Sequence, residues 1–214
     1  MIIAVYKPIG PSSRQMVDRV KRMTGIKKVG HAGTLDPLAR GVLVVAVGRE
    51  GTKQLTGILK SEKEYVAAVR LGMTSVTDDE DGEKTIMAVD LEPTLEHVQA
   101  VLPQFIGRIQ QVPPAYSAIK TGGSRAYRLA RRGHDIKLQP REVEIKSIEV
   151  LSYKWPLLRL RVKTGSGVYI RSLARDIGET LGVGGYIAGL ERTRVGAWSR
   201  ECGLSIRRAV KKPE

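Results

Sequence analysis

The sequence predicts a mixed α/β fold of the α+β kind, a largely antiparallel sheet with flanking helices. Strand-like segments outnumber helix-like ones, and the two are interspersed without the regular alternation that a parallel βαβ sheet needs. No internal repeat, low-complexity tract or long linker interrupts the 214 residues, so 1–214 reads as one domain, and its 42% apolar content suffices for a core.

The elements follow in order. Ile2 to Tyr6 is a short apolar strand closed by the turn signal Lys7-Pro8-Ile9-Gly10-Pro11. Ser12-x-x-Gln15 has capping-box spacing, and Met16, Val17, Val20 and Met23 keep one helix face apolar until Gly25 stops it. A polar, glycine-rich loop runs from Lys27 to Gly41. Val42 to Val47 is a continuous β-branched run, hence a strand buried on both faces. Gly48 to Leu59 reads as a helix and Tyr65 to Leu71 as a strand of weak alternation. Asp78 to Glu83 reads as a solvated acidic hairpin tip. A calcium loop there fails, because Thr77 and Ala88 stand where its first and twelfth positions need carboxylates. Thr94 to Leu102 reads as a short helix with Leu95, Val98 and Leu102 inward. Val143 to Leu151 and Leu157 to Val162 alternate as two strands about a turn near Trp155-Pro156. Val168 to Leu181 is a helix, apolar at Ile170, Leu173, Ala174, Ile177 and Leu181.

Lys and Arg total 36 against 22 Asp and Glu, a formal net charge of +14 that points to a polyanionic partner, nucleic acid ahead of an anionic membrane surface. No apolar run is long enough for a bilayer and the N-terminus lacks the features of a signal peptide, so a cytoplasmic protein is expected. The single cysteine, Cys202, rules out an intramolecular disulfide and, with three scattered histidines, argues against a zinc cage. No P-loop, complete dinucleotide fingerprint or nucleophile elbow is present. The basic charge is concentrated between Lys120 and Arg141. Lys120, Arg125, Arg128, Arg131, Arg132, Lys137 and Arg141 face one acid, Asp135, with Tyr116 and Tyr127 interleaved. Such a surface can neutralise phosphates and stack on exposed bases.

The segment Gly30-His31-Ala32-Gly33-Thr34-Leu35-Asp36-Pro37-Leu38-Ala39-Arg40-Gly41 stands apart. Its three glycines allow close backbone approach, and the proline biases Asp36 toward extended geometry. On local physics alone two readings stay open, a turn with a structural histidine or a loop presenting a catalytic carboxylate.

This segment resembles the signature of the TruB family of tRNA pseudouridine synthases, G-H-x-G-x-L-D-P-x-A-x-G, which carries that family's catalytic aspartate. Lys7-Pro8-Ile9-Gly10-Pro11-Ser12-Ser13 is similar to its N-terminal motif, with Ser12 where threonine is common. Lys63-Glu64-Tyr65 falls where the family keeps a tyrosine over the target base. Pro113 to Lys120 and Arg125 to Arg131 resemble its RNA-gripping thumb, about 113–142. Gly167 to Arg171 and Leu190 to Thr193 match two late motifs.

The resemblance implies the pseudouridine synthase fold with a catalytic cleft, and conversion of the T-loop uridine of tRNA (position 55) to pseudouridine without cofactor or metal. Asp36 would be the essential carboxylate, Arg171 its cationic partner, and Tyr65 the ring stacked on the flipped base. His31, Tyr169 and Leu190 would line the pocket, while Lys7, Lys120, Arg125, Arg128, Arg131 and Arg132 would hold RNA. It also implies a monomer with no obligate protein partner. The C-terminal PUA domain of many members is expected to be absent. A non-catalytic tRNA-binding or folding protein is the alternative, as is, on charge alone, a DNA-binding one.

Overall fold

The computed structural model describes residues 1–200 apart from 122, 135 and 137, so Cys202, Asp135 and Lys137 lie outside the described residues. In chain order the elements are β1 (Ile2–Lys7), α1 (Ser13–Thr24), β2 (Val29–His31), β3 (Arg40–Val47), α2 (Gly48–Lys53), α3 (Leu55–Lys60) and β4 (Lys63–Leu71). Then come β5 (Met73–Ser75), β6 (Lys84–Ile86), α4 (Leu95–Val101), β7 (Gly107–Gln111), β8 (Lys120–Thr121), β9 (Ser124–Arg125) and α5 (Ala126–Ala130). The chain continues through β10 (Arg141–Lys154), β11 (Leu157–Thr164), α6 (Ile170–Thr180), β12 (Gly185–Val195) and β13 (Trp198–Ser199). The class is the expected one, mixed α/β with mainly antiparallel pairing.

Two compact units divide the chain: Met1–Val66, Lys163–Ser166 and Leu190–Glu214 in the first, Ala67–Val162 and Gly167–Gly189 in the second. The first is organised around β3. β1 pairs with it antiparallel from Ile2↔Ala46 to Lys7↔Gly41, and β2 does so through Val29↔Val47 to His31↔Val45. β12 joins it in parallel, Glu191↔Arg40 and Arg192↔Gly41. As the continuous apolar run requires, β3 is buried on both faces. Val42 and Val44 pack with Ala4, Ala32, Ile58 and Val195, whereas Leu43, Val45 and Val47 pack with Val5, Met16 and Val20 of β1 and α1. Each of the valine, leucine, isoleucine and methionine side chains among these contributes roughly 1.5–3 kcal/mol of burial. Helix α1 starts as its sequence dictates. Ser12 Oγ accepts from the Gln15 amide, Gln15 Oε1 accepts from the Ser12 amide, and Gly25 ends the helix at φ +69°.

In the second unit the strand order is β4-β11-β10-β7, with β10 antiparallel to β7 from Arg141↔Gln111 to Ile145↔Gly107. Helix α6 buries Ile170, Leu173, Ala174 and Ile177. Several expectations need correction. The loop after α1 contains the short strand β2. The helix expected over 48–59 is two helices broken at Gln54, since Gly51 and Gly57 weaken a continuous helix. The alternation of β4 is strict in burial although apolar Val66 and Ala68 on its half-buried face mask it in sequence. Leu95 is exposed, while Val98 and Leu102 point inward as read.

Candidate active site

Asp36 sits in the turn between β2 and β3, and the sequence around it supplies the means of holding that turn rigid. Just before it, Ser13 at the start of α1 clamps Leu35 twice: its hydroxyl donates to the Leu35 carbonyl (2.9 Å) and accepts from the Leu35 amide (2.8 Å). Just after it, the Ala39 amide donates to the Asp36 carbonyl and the Gly10 amide to the Pro37 carbonyl. Lys7 closes the turn from β1. Fully buried, it donates to the carbonyls of Pro8 (2.9 Å), Pro37 (3.3 Å) and Ala39 (2.5 Å). Desolvation pulls its ammonium down to about 8, Asp36 opposes that fall by attraction, and Arg192 reinforces it by repulsion. The lysine expected to hold RNA thus spends its donors on the turn that carries the carboxylate.

The same unit holds His31, Tyr65 and Leu190. Burial pushes the His31 imidazole down against an opposing backbone hydrogen bond with Gly33, and its buried Nδ1 has no hydrogen-bond partner among the described residues. Tyr65 is buried on β4 and Leu190 is half-buried on β12. Lys63, buried beside Tyr65, donates to the carbonyls of Leu59 (2.9 Å) and Ser61 (2.7 Å), a cation capping the end of α3. Its ammonium too falls to about 8, chiefly by burial.

Tyr169 and Arg171 open α6 in the second unit. The Gln111 side chain grips the Tyr169 backbone on both sides, accepting from its amide (2.9 Å) and donating to its carbonyl (3.2 Å). The buried Arg171 guanidinium pairs with Asp79 (3.1 Å) and donates to the carbonyls of Thr77 and Tyr116. One helical turn on, Arg175 pairs with Asp78 (2.9 Å) and Asp176 (2.8 Å). The segment read as a solvated acidic tip is therefore wrong at its first two residues. Asp79 is buried and Asp78, at φ +58°, is half-buried where two arginines spaced four apart meet two consecutive acids. Even so, burial outweighs the arginines and lifts the Asp78 carboxyl to about 6.

Lys120, Arg125, Arg128, Arg131 and Arg132 are all exposed or half-exposed, around β8, β9 and α5. Arg128 and Arg131 lie 6.0 and 5.7 Å from the Tyr127 ring centroid, so this aromatic face of the patch is lined by cations. Among the described residues no three His, Cys, Asp or Glu side chains cluster so as to hold a metal ion. None of the helices among them is long and apolar enough to cross a membrane.

Residues 21–170 match the N-terminal domain of the TruB family of pseudouridylate synthases. This chain belongs to the TruB family. It is 41% identical over 206 residues to tRNA pseudouridine synthase B of Francisella philomiragia, covering 96% of this chain and 68% of that protein. The protein of the same name from Xanthomonas axonopodis pv. citri is 49% identical over 191 residues, 89% of this chain and 62% of its own. Among solved structures, that of a Cbf5–Nop10–Gar1 complex contains a chain 31% identical with a TM-score of 0.76, covering 98% of this chain and 53% of that one. The TruB-family chain described here thus spans about two thirds of its bacterial relatives and half of that solved chain.

Three polar groups of this TruB-family chain escape a reading of its sequence. Asp79 and Gln111 contact α6 from far along the chain, and only the matched pairs Asp78-Asp79 and Arg171/Arg175 hint at the first. Arg192 lies inside a motif that matches, yet nothing local distinguishes it from Arg194 on the other side of Thr193.

Proposed function

We propose that this chain isomerises a uridine of tRNA to pseudouridine, and that its target is the T-loop uridine, position 55, which it takes from the T-arm stem-loop as a monomer. The observation that carries the reading is the Asp36 turn: a half-buried carboxylate presented on a backbone clamped by Ser13 and Lys7, with the Lys7 ammonium attracting it. Membership of the TruB family and relatives named tRNA pseudouridine synthase B support it.

The glycosidic carbon of a stacked uridine is inaccessible, so the nucleotide has to be flipped out before reaction. The ionised Asp36 carboxylate then acts at the ribose, either adding to C1′ or taking a proton from C2′, as the N1–C1′ bond breaks. The freed base rotates and C5 bonds to C1′, displacing the Asp36 carboxylate from C1′ on the first route, or with Asp36 returning its proton to C2′ on the second; the C5 proton leaves as N1 takes one up. Substrate and product have the same composition, so the balance requires no oxidant or co-substrate. An ionised carboxylate in a half-buried setting needs cations nearby. Lys7 supplies one, and we assign Arg171 to the same task. Tyr65 stacks on the flipped base, with His31, Tyr169 and Leu190 around it. Lys120, Arg125, Arg128, Arg131 and Arg132 grip the RNA backbone through the thumb segment, about 113–142, of one catalytic domain.

Tritium release from a T-arm stem-loop carrying 5-tritiated uridine tests the reading. Wild type is expected to release tritium, and Asp36→Asn to release none while binding the stem-loop within about threefold. Binding without release by wild type, on the stem-loop and on whole tRNA alike, would make the chain a tRNA-binding protein and overturn the assignment. Parallel loss of binding in Asp36→Asn would make the residue structural.

A further inference from the structure

Arg192 is the largest fully buried side chain among the described residues, and the reaction as proposed gives it no role. Its Nε donates to the Val42 carbonyl (2.8 Å) and one terminal nitrogen to the Gly33 carbonyl (3.2 Å). The other reaches the Thr34 carbonyl at a longer 3.5 Å. No carboxylate pairs with it among the described residues. A guanidinium out of water costs several kcal/mol, and an apolar side chain of that size would fill the space more cheaply. What the charge adds is a planar fork of donors with fixed geometry.

The fork is aimed at one object. Gly33 and Thr34 lead into the Asp36 turn and Val42 leads out of it, so Arg192 ties the two ends of that turn together while Lys7 holds its tip through Pro37 and Ala39. Two of the three glycines that single out the 30–41 segment lie against this residue, Gly33 at ordinary contact distance and Gly41 too close for any side chain. A Cβ on Gly33, at φ +90°, would lie 3.4 Å from an Arg192 terminal nitrogen. A Cβ on Gly41, at φ +114°, would lie 2.2 Å from the Arg192 carbonyl oxygen. Arg192 itself is fixed from both sides. Glu191 is paired with Arg40 (2.9 Å) and Arg200 (3.2 Å), and the Thr193 hydroxyl donates to Glu64 (2.8 Å).

We propose that Arg192 is a positioning residue for the chemical step: its guanidinium sets the separation of the two ends of the Asp36 turn, and with it the placing of the carboxylate. The inference rests on the function proposed above. A misplacement of about 1 Å can cost on the order of a hundredfold in rate, whereas RNA contacts away from the turn are untouched. Lysine keeps the charge but loses the fork.

The test compares wild type, Arg192→Lys and Arg192→Gln. The readouts are single-turnover tritium release, the Kd for the T-arm stem-loop, and hydrogen exchange of the amides of residues 32–39. Arg192→Lys is expected to lose at least tenfold in the single-turnover rate with Kd changed less than twofold. Exchange should quicken at Leu35 and Ala39 and stay unchanged in α6. If Arg192→Gln fails to fold, Arg192→Lys alone decides. A rate within twofold of wild type overturns the proposal, as does a loss of rate matched by an equal loss of binding. Should wild type show no turnover, the proposed function fails, and the exchange data judge Arg192 separately: faster exchange confined to 32–39 supports its hold on the turn, and unchanged exchange overturns it.

Discussion

Buried cations distinguish the residues around Asp36. Lys7, Lys63 and Arg192 are each shielded from solvent and each satisfied by main-chain carbonyls. Burial first, and repulsion from Arg192 second, hold both ammonium groups down to about 8. A lysine whose folded pKa lies below its unfolded value of 10.5 binds fewer protons in the folded state between those two values. Stability therefore rises with pH across the window. Denaturant unfolding of wild type and Lys63→Met at pH 7, 8.5 and 10 should show the stability difference shifting in favour of wild type, by on the order of 2 kcal/mol. A pH-independent difference would mean that Lys63 titrates normally. None of these burials is visible in the sequence, where a lysine beside a proline or a glutamate reads as a surface residue. Asp36 was legible because glycine spacing and a following proline mark an unusual turn, and because the motif around it resembles a known one. Lys63 and Arg192, which lie against Gly33 at the start of the turn, bring no such mark.

At the scale of elements, the glycines of the first unit separate two costs. Gly10 adopts φ +105° with nothing within 4 Å of a Cβ, while Gly41 adopts φ +114° with a backbone oxygen 2.2 Å away. Gly10→Ala should cost about 1 kcal/mol, the left-handed penalty alone. Gly41→Ala should cost about 3 kcal/mol or more, since β3 and β12 must also move apart. Equal costs in urea unfolding would show that the approach of the two strands is not tight. Elements with a local signal were readable: the capping box of α1, the continuous apolar run of β3, and the turn between β10 and β11. β12 was missed because its eleven residues mix a buried apolar start with Glu191, Arg192 and Arg194, giving neither period. The short helices α2 and α3 merged into one because the sequence offers no breaker stronger than glycine. Asp78 and Asp79 were misjudged because their arginines stand more than ninety positions away.

Over the whole molecule, the excess of positive charge is legible from composition alone, and its use depends on where it is exposed. The arginines proposed to grip RNA reach solvent, so the contribution proposed for them is electrostatic and salt-dependent. Replacing Arg128 and Arg131 with glutamine should lower the slope of log K against log salt by about two, one for each phosphate no longer neutralised. Tritium release at saturating stem-loop should be unaffected. An unchanged slope in a salt titration would remove these residues from the interface. The parallel junction of β12 with β3 joins segments made far apart in time during synthesis. Arg192 closes on Val42, 150 positions earlier in the chain. At about 5–20 residues per second, a ribosome takes roughly 8–30 s to bridge that gap. Until residue 192 is added the Asp36 turn lacks its tie, although every residue of 113–142 has already been made, so on the proposed function the segment that grips RNA is synthesised before the turn that would change it can be completed.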